Sequence, residues 1–477
     1  MARITTEVLV IGSGAGGAVT AARLAEAGRQ VLVVEEGPWF DADEHEPFSL
    51  PEMVAKYRNG GAQVALGNPA VAFGEGRCVG GSTEVNSGLF HRLPDYLAEE
   101  WQHTYDIDDF SAQTLAFYAG QVEAELQVST LPTAPPPSSA ILEHGATKLG
   151  WRNVEFARVY RYDQAGRGVK QTMSRTLLPK ALAAGAELIA DCRVVKLLRP
   201  RADRGRVVGA RCVRTHPDGG RETLDIQADQ VVVCAGAIQT PALLQRSGIR
   251  HNIGRGLKLH PTVKIAARFP HPVDHGDVPM HRVTEFAPNL TIGGSASRKG
   301  QIAMALAEAT HDIAEPMADW ENISIYYAAI RSEGSGRVRA VPGLTSPLIT
   351  YKLTEADMSR LAQGLVHLGE VLFAAGATEL YPSLVGGPVA RQLGDIGAWW
   401  DRSTRANTNL MTVHMTSTVR MGNDRSRTGT DSYGRVWDVA NLQVNDGSLL
   451  PDAPGVNPQA AIMTIATRNT EHLLSNL

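Results

Sequence analysis

The chain has 477 residues, 43% of them hydrophobic and 20% charged, with 47 glycines and a formal net charge of −4 at pH 7. That length holds two or three ordinary domains or one large core with insertions, and the near-neutral charge gives no electrostatic footprint for nucleic acid. Every apolar run is interrupted by Gln, Asp or Arg before it could span a bilayer. The opening "MARITTEVLVIG" enters a strand without the regions of a signal peptide, and the four cysteines (Cys78, Cys192, Cys212, Cys234) show no CxxC spacing. The expectation is a reduced, cytoplasmic protein without a metal site.

In chain order, "TEVLVIG" reads as a short strand, "GAVTAARLAEAG" as an Ala-rich helix closed by Gly28, and "QVLVVEEG" as a second strand. Between strand and helix stands Gly12-Ser-Gly14-Ala15-Gly-Gly17, a GxGxxG pattern. Its first glycine makes the turn, its second lets backbone approach a pyrophosphate, and its third lets helix pack on strand. Glu35 ends the second strand 23 residues after Gly12, where a carboxylate can accept from ribose hydroxyls. This unit predicts a dinucleotide site and leaves NAD and FAD undivided.

The segment 74–88, "GEGRCVGGSTEVNSG", is glycine-rich. Gly80 and Gly81 permit close backbone approach to a flat ring system, and Asn86 can offer an amide at its edge. "STLPTAPPPSSA" (129–140) reads as a surface loop or linker. From about 180 a helix and a strand return, then a hairpin around Asp218-Gly219-Gly220 and the buried strand "VVVCAG". "AGAIQTPALLQRSGI" follows as a small-residue turn and helix, and residues 260–350 alternate like a mostly antiparallel sheet. Thr354 and Asp357 stand in capping-box spacing ahead of a helix with Met358, Leu361, Leu365, Leu368 and Leu372 on one face. Near the end, Asp446 precedes Gly447, and Pro458 opens a final helix whose positive end suits a ring that becomes anionic on reduction.

Three of these segments, 74–88, 234–249 and 441–469, resemble signatures of the glucose–methanol–choline (GMC) oxidoreductases, and the resemblance extends from Val8 to the C-terminus. Within the family, the "GVNP" ending is most similar to cholesterol oxidase and pyranose oxidase, with Asn where many relatives carry a second His. The resemblance implies FAD. Its binding residues would be Gly12, Gly14, Ala15, Gly17 and Glu35, then Arg77, Gly81, Ser82, Asn86, Ser87 and Gly88 in the ribbon. Val194 would contact adenine through its backbone, and Ala235, Asp446, Gly447, Asn457, Pro458 and Gln459 complete the set. Relatives with covalent FAD carry a histidine at the place of Val85; neither Val85 nor Glu84 can make that bond, so non-covalent FAD is expected.

Alcohol oxidation needs a base for the hydroxyl proton. His414 in "TVHMTSTVRMG" resembles the family's H-x-x-G-T-x-R-M-G segment, with Ser417 replacing the glycine. Asn457, 43 residues on, falls where the partner residue stands. The pair His414 and Asn457 is therefore the expected catalytic set. His260 and His91 are read as structural, and Glu285 and Glu308 as exposed strand carboxylates with no reason to prefer either. The expected fold is α/β, α+β overall. A discontinuous Rossmann-like FAD domain comprises 1–95, 165–258 and 415–477; a substrate domain comprises 96–164 and 259–414, with a mostly antiparallel sheet covered by helices. The expected partners are a small-molecule alcohol, with a ring secondary alcohol preferred, and dioxygen or a quinone or protein as electron acceptor. The rival readings are a lyase-type flavoprotein, a decayed flavin binder, and an NAD-dependent dehydrogenase that would leave the three later segments without purpose.

Overall fold

The computed structural model describes residues 2–41, 44–200, 202–273 and 280–477. Two large sheets organise it. The first has seven strands in the order Glu187–Ile189, Val31–Val34, Ala2–Ile11, Arg221–Val233, Gly209–Thr215 and Cys192–Leu198, with Leu442–Val444 also pairing with Arg221–Val233. The pairings among Ala2–Ile11, Val31–Val34, Glu187–Ile189, Arg221–Val233 and Leu442–Val444 are parallel. Parallel strands are covered on both faces and so read as unbroken apolar runs; Val8 to Ile11 and Val31 to Val34 are all buried. Helix Ala15–Glu26 lies beside helix Gln459–Leu474. Its alanines permit that approach, with Ala18, Ala21, Ala22 and Ala25 all buried.

The second sheet has nine strands. Thr262–Arg268, Ile323–Ile330, Leu290–Gly294, His281–Val283 and Asn153–Glu155 pair antiparallel in sequence. Beyond them, Leu410–Thr412 runs parallel to Val71–Phe73. Helix Glu355–Ala374 covers one face of this sheet. The Thr354/Asp357 capping box forms, and Met358, Leu361, Leu365, Leu368 and Leu372 are buried as the spacing requires. A four-stranded sheet joins the two halves, pairing Met415–Thr416 with Arg255–Leu259.

Local departures have physical causes. The expected linker at 129–140 is loop only to Pro136: Pro137 opens helix Pro137–Lys148, and Ser138 and Ser139 are buried. Proline is pre-organised for a first helical turn, and Ser139 Oγ accepts from the Met280 backbone N–H. Glu308 stands on helix Lys299–Ala309 rather than on a strand, and Glu285 lies just past strand His281–Val283. Among the described residues no helix is long and apolar enough to cross a membrane.

Candidate active site

A cavity of about 620 Å³ runs between the two sheets, from the Gly12 turn to His414 and the inner face of the nine-stranded sheet. At one end its wall is backbone. Gly12 has φ +102°, and a Cβ there would sit 2.4 Å from the Cys234 carbonyl oxygen. A Cβ on Gly17 would fall 1.9 Å from the Gly12 carbonyl oxygen, so this glycine packs the helix and does not line the cavity. Gly81 meets Gly14 across the chain crossing, where a Cβ would lie 2.8 Å from the Gly14 Cα. No side chain can replace these hydrogens while the walls stay where they are.

Gly12, Gly14, Ala15, Glu35, Gly81, Ser82, Asn86, Ser87, Gly88, Val194, Ala235, Asp446, Gly447, Asn457, Pro458 and Gln459 all line this cavity, with His414. Arg77 does not. Its guanidinium is drawn to Glu36 at the surface, 3.4 Å away, and Arg58 lines the cavity instead, held by Glu36 and Glu75. Three of the expected groups are already partly engaged. The Asp446 carboxylate accepts from Gly236 N, Thr240 Oγ1 and Ser448 N, pinning the 235–240 turn to the last strand. That leaves one acceptor position on Oδ1 and the backbone N–H for a ligand. Asn86 donates its amide to Gln459 Oε1, so the buried Gln459 Nε2, without a partner among the described residues, is the available donor. Glu35 accepts from Ser13 N, Ser13 Oγ and Gly37 N, which leaves one acceptor position on Oε1.

The other end is built from side chains. His414 Nδ1 lies 2.9 Å from His260 Nδ1, and the Gly455 backbone N–H donates to His260 Nε2 at 3.1 Å. His260 is thus a direct neighbour of the expected base; its structural reading is incomplete, because it also lines the cavity. Burial, then the charges of Arg282 and Arg331, pushes His260 down to about 3. Burial, His260, Arg282 and His91 hold His414 well below the ordinary histidine value, so both rings are neutral near pH 7. Asn457 and His91 approach each other, and burial lowers the His91 imidazole well below its usual value. Neither Asn457 Oδ1 nor either His91 nitrogen has a hydrogen-bond partner of good geometry among the described residues. Of the two carboxylates, Glu308 lines the cavity paired with Lys264 at 3.0 Å, whereas Glu285 pairs with Arg152 outside it. No group of residues suited to holding a metal ion occurs among the described residues.

Family models for GMC oxidoreductases match residues 53–262 and 332–466, and an FAD-binding model matches residues 7–45. An uncharacterised GMC-type oxidoreductase of Sinorhizobium fredii is 38% identical over 99% of this chain and 95% of its own length. The chain belongs to the GMC oxidoreductase family. Its cofactor is FAD, and the enzyme is an FAD-dependent alcohol oxidoreductase. A long-chain-alcohol oxidase of Arabidopsis thaliana is 28% identical over 99% of this GMC chain and 66% of its own length. Pyridoxine 4-oxidase from Mesorbium loti has the same fold at TM-score 0.73 and 20% identity, covering 98% of this chain and 99% of that one.

The residues present fit FAD. The Gly12/Gly14/Gly81 crossing leaves a side-chain-free passage at the N-terminus of helix Ala15–Glu26, where a diphosphate is favoured. The orphaned, buried Gln459 Nε2 stands at the N-terminus of helix Gln459–Leu474, where a donor suits an anionic ring edge. Sequence reasoning missed Arg58 and His260. For His260 the available signal was its place in "LKLHPTV", one strand-pairing away from the His414 segment.

Proposed function

We propose that this enzyme oxidises a small-molecule alcohol to its carbonyl at the side-chain end of the cavity, with His414 taking the hydroxyl proton. The observation that carries this reading is a half-buried, neutral imidazole lining the cavity between the two sheets, fixed through Nδ1 by a second imidazole. FAD, when bound, accepts the hydride that leaves the carbinol carbon. Asn457 lines the same space, where its amide Nδ2–H can donate to the substrate oxygen without competing for its proton.

The hydrogen-bond network defines the resting proton positions. Because Gly455 N–H donates to His260 Nε2, neutral His260 carries its proton on Nδ1 and donates it to His414 Nδ1. Neutral His414 then carries its own proton on Nε2. Receiving the alcohol proton there requires the alternative neutral arrangement, with His414 Nδ1–H donating to His260. That switch costs at least the Gly455 hydrogen bond, about 1 kcal/mol. Thus His260 sets how available the base is.

A valine at position 85 supports non-covalent FAD: acid precipitation should leave the yellow colour in the supernatant, and flavin fluorescence on the denatured chain would refute it. We further assign cofactor binding to 1–95, 165–258 and 415–477 and substrate contact to 96–164 and 259–414, with dioxygen or another acceptor reoxidising the flavin. The "GVNP" resemblance favours a ring secondary alcohol. Anaerobic bleaching of the flavin against a panel of alcohols tests the reading; no bleaching by any alcohol from a fully loaded enzyme would refute it.

A further inference from the structure

Arg282 is 5% exposed, and among the described residues its guanidinium makes no hydrogen bond and no ion pair. Among the described residues it faces aromatic rings alone, Tyr327 at 5.5 Å and Phe156 at 5.9 Å. An arginine retains its proton in a protein interior, so this is a buried positive charge without a counter-charge. Buried charges are ordinarily paired. The register shows where this one stands. Lys264 pairs with Tyr327, Tyr327 with Gly293, and Gly293 with Arg282, one row across four strands and on one face of the sheet. Lys264, Tyr327 and Arg282 all line the cavity. Lys264 is neutralised by Glu308 at 3.0 Å. Gly293 contributes no side chain, and the Tyr327 phenol fills its place: a Cβ on Gly293 would lie 2.8 Å from Tyr327 Oη. The phenol oxygen has no hydrogen-bond partner among the described residues either.

From this row we propose that Arg282 is the anchor for an anionic group, a carboxylate, on the alcohol substrate, with the Tyr327 hydroxyl as a second donor. The proposal rests on the reading that the His414 end of the cavity receives the alcohol. A guanidinium presents its donors as a planar fork matched to a carboxylate. The cofactor's diphosphate has its own donors in the glycine turn and the helix N-terminus on the other sheet, so the charge on the substrate sheet is left for the substrate. Arg282 lines the same cavity as His260 and His414, so a group held by it stands in the space where the alcohol is read to react. The substrate class is a hydroxy acid of modest size, its hydroxyl and carboxylate spanning the distance from His414 to Arg282.

The test uses FAD-loaded enzyme and a matched pair, para-(hydroxymethyl)benzoate and para-methylbenzyl alcohol, with anaerobic flavin reduction as one readout and calorimetric binding of benzoate as another. Wild type should bind the hydroxy acid more tightly than the neutral alcohol and should bind benzoate. Arg282→Met should weaken the hydroxy acid and benzoate by about 10- to 100-fold, the span of a hydrogen bond to a charged group, and leave the neutral alcohol within about threefold. It should also raise the melting temperature, because an unpaired buried charge is removed. Arg282→Lys, which retains the charge without the fork, should weaken the hydroxy acid less than Arg282→Met does. Equal weakening of both alcohols, a lowered melting temperature with lost FAD, or a wild type that prefers the neutral alcohol would overturn the anchor. Benzoate binding lost in Arg282→Met, with no alcohol of either kind reducing the flavin, would support the anchor and refute alcohol oxidation. Flavin reduction by neutral alcohols without benzoate binding would do the reverse.

Discussion

The two ends of the cavity are made from different materials. At the Gly12 end, backbone meets backbone, and three glycines (Gly12, Gly14 and Gly81) leave the passage open. At the His414 end, side chains from separate strands and loops converge: His260 from the strand end, His414 from the loop after Leu410–Thr412, Arg282 from the sheet row, and Asn457 ahead of the last helix. At Gly12 and Gly81 this backbone wall has no room for an added carbon. A side-chain wall can be re-lined one residue at a time without disturbing the fold. We therefore assign the cofactor to the first end and the choice of substrate to the second.

The sharpest way to break this contrast is to put a side chain into the backbone wall. Gly12→Val should yield protein without FAD, because its Cβ would stand 2.4 Å from a main-chain oxygen at φ +102°, where a β-branched residue is strained. The flavin-to-protein absorbance ratio reads the result directly. A fully yellow Gly12→Val enzyme would show that the wall yields.

The opposite substitution, at the side-chain end, should spare the cofactor and remove the chemistry. His414→Ala is expected to retain stoichiometric FAD and reduce it about 100-fold or more slowly, the usual scale for losing a positioned base. Near wild-type reduction in a rapid-reaction experiment would place the base elsewhere.

The same contrast explains what could be read in advance. The glycine passage lies in contiguous motifs, so Gly12, Gly14 and Gly81 line the cavity as their order suggests, and the capped helix Glu355–Ala374 with its single apolar face was equally legible. His414 was legible because its segment resembles the family's. Arg282 carries no motif. Its place depends on the register of three strand pairings that bring residues 264, 327, 293 and 282 into one row, and sequence alone does not specify register between distant strands. Charge pairing was equally hidden. Arg77 and Arg58 are both near the ribbon in sequence, but Arg77 is 41% exposed at its side chain, and Arg58 is the one drawn inward, by Glu36 and Glu75. Asp446 lines the cavity as expected, but the bracing of the 235–240 turn by its carboxylate is a contact between distant segments that no motif announces.

Within the side-chain end, His260 permits a finer test. His414 is held below its ordinary value by burial first and by His260 next. A base with a depressed pKa remains unprotonated, and so active, to lower pH; activity is lost as pH falls through that depressed value. Wild-type kcat/KM should therefore have its acid limb below the ordinary histidine value of about 6.5. His260→Ala should move that limb upward towards 6.5, because the second cause of the depression is removed while burial remains. An acid limb that does not move in His260→Ala would separate the two imidazoles functionally.

The smallest effect is expected where the two ends are joined. Ser417 follows strand Met415–Thr416, and its backbone N–H donates to the Gly447 carbonyl, tying the His414 segment to the final cofactor segment. It is fully buried with φ +72°, so the turn is kept in a conformation that glycine adopts freely and serine does not. Left-handed backbone costs an ordinary residue about 1–2 kcal/mol, partly offset here by the Ser417 Oγ donation to Thr416 Oγ1 at 3.0 Å. Ser417→Ala retains the strain and loses the hydrogen bond, whereas Ser417→Gly loses both. Glycine should consequently be the more stable of the two variants by about 1 kcal/mol, after allowance for its greater freedom in the unfolded chain. Chemical denaturation of the FAD-loaded variants measures the difference. If Ser417→Ala proved the more stable, the left-handed turn would not be a strained joint, and the serine would be there for its hydroxyl alone.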